Sequence, residues 1–232
     1  MPQTWRTARD AYKYTVDLRK YERASDFPHF FERDICGNRG STIEFEDYFR
    51  AQAPTTIEVW YEVAFWKLYR RGRETVTRMV KHTRDCKVSA QSLWEATQEF
   101  IQSPDICKLR KMKGLLGLTY DRIAVPLTFV AFAVPKQYPM VDTRVAKWVN
   151  ESGQLHSASR ENELKEFESL RKGKTTLTES DFESYLKWVF WCREVATVLS
   201  ASLGDKWRAR DVEMAVYTAN DPKKKLSLSV LP

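Results

Sequence analysis

Between Ile123 and Val134 the chain reads IAVPLTFVAFAV, an apolar run broken only by Thr128. A run of this kind has to be buried somewhere. It falls short of the roughly 20 apolar residues that cross a bilayer, and it contains Pro126. It therefore calls for a protein core, and the chain is able to supply one. Its 232 residues are 43% hydrophobic and 13% aromatic, which suits one domain or two lobes sharing a core and argues against disorder away from the ends.

Elsewhere apolar side chains recur mostly at helical spacing, and strand signals are few. In IEVWYEVAFWKLYRRG, Ile57, Trp60, Val63, Ala64 and Leu68 share one face, opened by Pro54, Thr55 and Thr56 and broken at Gly72. RETVTRMVKHTRD predicts a second helix with Val76, Met79 and Val80 inward. SAQSLWEATQEFIQS predicts a third, capped near Ser89, and DICKLRKMKG a short fourth opened by Pro104 and Asp105. The apolar helix follows the turn GLLGLTYDR, and Asp142 then opens TRVAKWVN after the turn PKQYP. Residues 151–180 read as a polar loop with one exposed helix. DFESYLKWVFWCREVATVLSASLG is a long helix capped by Ser180 or Asp181 and closed by Gly204, and RARDVEMAVYTAN is the last. The N-terminal stretch GNRGSTIEFEDYF fits a turn followed by either a short strand or a helix, and 221–232 reads as a loose tail.

Lys plus Arg number 38 against 31 Asp plus Glu, a formal net charge of +7. That excess suits a polyanionic partner, of which nucleic acid is the commonest. Cys36, Cys86, Cys107 and Cys192 form no CxxC pair, so neither a zinc knuckle nor an iron–sulfur loop is indicated. Reduced thiols and a cytoplasmic or nuclear location are expected. The opening MPQTWRTARDAYKY lacks the apolar core of a secretory signal, so secretion is not expected, nor is a membrane partner. His82 and Cys86 lie four apart with no further ligand pair nearby, and no metal or cofactor is expected.

One constellation carries chemistry. A turn with Gly114 and Gly117, flanked by Lys108, Arg110, Lys111 and Lys113, precedes the apolar helix, and Asp142 follows it. Two helices joined by a tight glycine turn can aim backbone N–H groups at a phosphate, and nearby cations add affinity that ignores sequence. An Asp ahead of a helix is also among the commonest N-caps. That role and a chemical one are compatible.

The words AVPLTFVAFAV and YPMVDTRVAKWV resemble the helix-hairpin-helix DNA glycosylase superfamily, which includes endonuclease III and the adenine and 8-oxoguanine glycosylases. The resemblance covers roughly 55–150. It implies an all-α, two-lobed fold, with 1–54 packing with the C-terminal lobe, 55–150 carrying the hairpin and the catalytic acid, and 151–232 completing the second lobe. A cleft between the lobes would hold DNA and present Asp142. The family hairpin usually reads Leu-Pro-Gly-Val-Gly, whereas here its second glycine is replaced by Leu118 or Tyr120. Bifunctional members carry a nucleophilic Lys where this chain has Arg122, and a guanidinium is a poor amine nucleophile. The resemblance therefore implies a monofunctional glycosylase without strong lyase activity. In that scheme Asp142 stabilises an oxocarbenium-like sugar and activates water, while Arg122 contacts a phosphate or pairs with Asp142. DNA contacts would come from Lys111, Lys113, Gly114, Gly117, Thr119 and Arg144, and a wedge from Tyr69, Arg70 or Arg71. The flipped base would meet Tyr120, Tyr138, Trp60 or Trp66. The expected partner is double-stranded DNA carrying a lesion or mismatch, bound by a monomer. Among the other acids, Glu58, Glu62, Asp181, Glu183, Asp211 and Glu213, no spacing singles out a second catalytic group. The rival reading is a catalytically inactive DNA-binding module on the same scaffold.

Overall fold

Asn38, Ser89, Asp105 and Asp142 each stand in extended backbone ahead of a helix, and each accepts a hydrogen bond from an amide of its first turn. These caps satisfy donors that a helix start otherwise leaves unpaired. The computed structural model describes residues 2–14, 37–68, 73–118, 122–153, 163–224 and 226–229. Among these the protein is all-helical, with eleven α-helices. They are α1 (Pro2–Asp10), α2 (Arg39–Gln52), α3 (Glu58–Leu68), α4 (Arg73–Asp85), α5 (Ala90–Gln102), α6 (Ile106–Leu115), α7 (Ala124–Ala133), α8 (Thr143–Ser152), α9 (Glu168–Arg171), α10 (Phe182–Leu203) and α11 (Ala209–Ala219). An isolated antiparallel bridge joins Arg122 to Thr178.

The chain divides into two compact units. One holds Tyr14–Tyr120 and Thr128–Ala133, hence α2 to α6 and the end of α7. Its core is aromatic: Phe49 meets Trp60 edge-on at 5.1 Å, Trp60 lies 4.9 Å from Phe129, and Trp66 meets Phe132 at 5.3 Å. The sequence predicts one inward face for α3. Instead every side chain from Val59 to Trp66 is buried, Glu62 included. A helix that is apolar on all sides belongs inside rather than at a surface. Pro126 is tolerated because it lies in the first turn of α7, where no intrahelical N–H bond is due.

The other unit holds Met1–Lys13, Asp121–Leu127 and Val134–Pro232. Trp188 and Trp191 of α10 stack at 5.3 Å, and Trp5 and Trp148 pack around them. The helix opening at Asp142 thus belongs with the N- and C-terminal helices. Asp181 does not cap α10 with its side chain. Its buried carboxylate accepts amides of Ser169 and Thr178 at 2.9 and 2.8 Å, fastening the polar 163–181 segment. Asp211 bonds Arg208 and Glu213 pairs with Arg210, so these buried acids serve the fold.

The tail is tied down where it is described. The amide of Ser229 donates to Thr4 Oγ1 at 3.1 Å, the Trp5 indole N–H donates to Ser229 O at 2.9 Å, and Leu228 is buried. Ending the chain at Asp221 is expected to lower Tm by about 4–8 °C, measured by calorimetry, because the buried Trp5 indole would lose its acceptor.

Asp205 binds α1 through Arg6 at 2.8 Å and Arg9 at 3.0 Å. Burial works against its anion, but hydrogen bonds and charge from Arg6 and Arg9 outweigh it and hold the carboxyl at about 2. A folded-state value below the ordinary 3.8 stabilises the fold above about pH 4, and that contribution fades as pH falls through about 2. Asp205→Asn is expected to cost about 1 kcal/mol at neutral pH, screening of a partly exposed pair included. It should also flatten the loss of stability between about pH 4 and pH 2. Urea titrations at stepped pH measure both.

Candidate functional site

The site is built outward from the end of α7. Val134 O accepts the amides of Gln137 and Tyr138, both at 3.0 Å, which turns the chain. Met140 and Val141 are then buried, and Asp142 follows in extended backbone with φ −142° and ψ 179°. Asp142 Oδ1 accepts the Val145 amide at 2.9 Å, and its backbone carbonyl accepts Ala146 at 2.9 Å. The residue is half-buried. Among the described residues it makes no ion pair, and Oδ2 has no hydrogen-bond partner. Oδ1 is locked in the cap, and Oδ2 is left without a partner among the described residues. Such a carboxylate is able to face a developing cation or orient a water.

Arg122 lies in the same unit, exposed, two residues ahead of α7. Tyr138 is buried, and its burial raises the phenol despite the opposing charge of Arg193, so it stays protonated and lines no open surface. Trp60 and Trp66 are fully buried. Trp60 spends its indole N–H on Ala53 O at 2.9 Å. Both pack in the core of the other unit. Tyr69, Arg70, Arg71, Thr119 and Tyr120 lie outside the described residues.

The glycine turn is resolved through Leu118. The Leu118 amide donates to Lys113 O at 2.9 Å and the Gly117 amide to Gly114 O at 3.1 Å, a Schellman closure of α6 with Gly117 left-handed at φ +63°. These two amides bond inside the turn. His82 Nε2 lies 3.0 Å from Gly114 O. A carbonyl only accepts, so Nε2 carries the proton and donates. Lys111 pairs with Glu99 at 2.7 Å, Lys108 binds the carbonyls of Glu99 and Ser103, and Lys113 is buried. Lys108 and Lys111 therefore tie α6 to the end of α5, and His82 ties the glycine turn to α4. The sequence shows the basic residues but not that neighbouring acids and carbonyls engage them.

Arg144 is half-buried, with its guanidinium 4.2 Å over the Tyr217 ring and 3.6 Å from Asp221. It forms one wall of a groove of about 1080 Å³ that begins at Thr143 and runs between α8, α9 and the residues after α11. Asp142 is not among its walls. Lys147 stands 3.6 Å from Glu151 and Arg171 4.0 Å from Glu166, so the groove is mixed in sign rather than cationic. Sequence reasoning missed it because α8 and α11 are far apart in the chain. It also missed His82 as a brace, although its helix position was legible.

Among the described residues no cluster of three His, Cys, Asp or Glu side chains is placed to hold a metal ion, and no helix is long and apolar enough to cross a membrane. The chain matches no protein-family model, no curated protein and no solved structure.

Proposed function

We infer that the chain is a monofunctional DNA N-glycosylase that removes a damaged or mismatched base. The observation that carries this reading is the Asp142 carboxylate: half-buried, at a helix N-terminus, with one oxygen fixed by the cap and the other unbonded among the described residues. A glycosidic bond to a base breaks with the electron pair leaving on the base, so positive charge grows on the sugar. The open oxygen of Asp142 offsets that charge. Water then adds at the anomeric carbon and gives a proton to the carboxylate. Arg122, exposed and two residues ahead of α7, is assigned to a phosphate. Arg144 and Lys147, on the same helix as Asp142's cap, offer further phosphate contacts, since their long ion pairs are weakly held.

The test is a panel of duplexes carrying uracil, 8-oxoguanine, alkylated purines and mismatches, incubated with the protein and then treated with alkali to cut abasic sites. Strand scission on at least one lesion, with no adduct trapped by borohydride, is the expected result. Salt-sensitive duplex binding with no scission on any lesion would replace the enzyme by a DNA-binding module.

A further inference from the structure

The loop that delivers Asp142 is fastened by its carbonyls. The Ala209 and Arg210 amides, at the start of α11, donate to Lys136 O at 3.3 Å and Pro135 O at 3.1 Å. Amides of a first helical turn lack intrahelical acceptors, so the loop and the helix end satisfy one another. The Tyr185 hydroxyl donates to Pro139 O at 3.3 Å, and the Trp188 indole N–H donates to Met140 O at 3.1 Å. Tyr185 and Trp188 sit three apart on α10, which puts them on one face, and both are fully buried.

Trp188 does more than fill the core. Its ring stacks on Trp191 at 5.3 Å and 18°, and meets Trp148 of α8 edge-on at 6.4 Å and 61°. Met140 comes two residues before Asp142 and Trp148 six after it. One side chain therefore grips the backbone ahead of the carboxylate and the helix behind it. A buried indole N–H calls for an acceptor, but packing alone does not require that the acceptor be the loop leading to Asp142.

The geometry points to Trp188 as the positioning residue of Asp142. Its N–H fixes the Met140 carbonyl and its ring fixes α8, so that the carboxylate is in place before DNA arrives. The inference rests on Asp142 being the catalytic carboxylate. Pre-set geometry of this kind governs turnover more than binding, and Trp188 touches neither DNA nor the reacting atoms in this role.

Two variants of the full chain test it. Trp188→Phe keeps a ring and removes the donor. Replacement of Trp188 by benzothienylalanine, introduced by nonsense suppression, keeps the shape of indole with sulfur in place of N–H, and so guards against a folding defect. Three quantities are read: kcat and KM on the duplex that wild type cleaves best, hydrogen exchange of the Val145 amide, and Tm. The expected result is a roughly ten- to hundredfold fall in kcat with KM within about twofold. The Val145 amide, which Asp142 Oδ1 holds at 2.9 Å, should exchange about tenfold faster while amides of α3 keep their protection. Variants that lose only Tm, with wild-type kcat and wild-type Val145 exchange, overturn the proposal. If wild type releases no base from any duplex, the glycosylase reading fails on its own. Val145 exchange then still decides whether Trp188 holds Asp142 in place: faster exchange in the isosteric variant supports it and unchanged exchange refutes it.

Discussion

Asp142→Asn is expected to reduce base release by roughly 10²- to 10⁴-fold in kcat while leaving the fold intact. The two effects separate because the side chain has two jobs on two oxygens. Oδ1 accepts the Val145 amide at 2.9 Å and caps α8. An Asn carbonyl accepts that bond equally well, and Asn and Asp are comparable N-caps. Tm should therefore move by no more than a degree or two. What Asn lacks is the charge that the other oxygen would present to the sugar cation. Asp142→Ala loses both functions, and should add about 1 kcal/mol of destabilisation to the catalytic loss. Duplex binding should be unchanged or tighter in either variant, because a negative charge near phosphates has been removed. Single-turnover scission assays alongside calorimetry distinguish the contributions. An Asn variant with wild-type turnover would leave Asp142 as a helix cap and nothing more.

What could be read from the sequence was what is local in the chain. Ser89, Asp105 and Asp142 announce helix starts by residue type alone, and each does cap the helix it precedes. Gly204, left-handed at φ +72°, closes α10. The stretch GNRGSTIEFEDYF is open between strand and helix because Ile43 and Phe45 alternate with Glu44 and Glu46. The helix wins with an Asn38 cap and with Thr42, Phe45, Glu46 and Phe49 buried at intervals of three and four. Burial of α3 on every side was out of reach, because periodicity reports one face and says nothing of what closes over the other. The same limit decided the aromatics. Trp60 and Trp66 look as suited to stacking on a base as to packing until Phe49, Phe129 and Phe132 are seen around them. At the candidate site, the Asp142 cap was legible over three residues. The bond from Trp188 to Met140 spans 48 residues, and no pattern in a single sequence joins them.

The glycine turn after α6 makes the second large prediction, because two independent restraints meet at one residue. Gly117 has φ +63°, and a Cβ built there would lie 2.4 Å from His82 Cγ and 2.5 Å from His82 Cβ. The left-handed backbone costs an L-residue about 1–2 kcal/mol, and the forced overlap adds a further 1–3 kcal/mol or so of strain. Gly117→Ala is therefore expected to destabilise the protein by about 2–4 kcal/mol in urea titrations. Gly117→Asn separates the two causes. Asn tolerates left-handed backbone well, so a purely conformational cost would largely vanish, whereas the clash with His82 keeps the loss near that of Ala. Adding His82→Gly to Gly117→Ala removes the atoms in the way and should recover part of the loss, net of about 1 kcal/mol for a glycine in α4. Gly114, three residues earlier, is the control. Nothing lies within 4 Å of a Cβ there, and it is helical, so Gly114→Ala should stabilise by roughly 0.4–1 kcal/mol. Two glycines that look alike in KGLLGLTYDR thus have opposite expected responses. The difference lies in the left-handed backbone at Gly117 and in the His82 ring packed against it, which holds α4 to the end of α6.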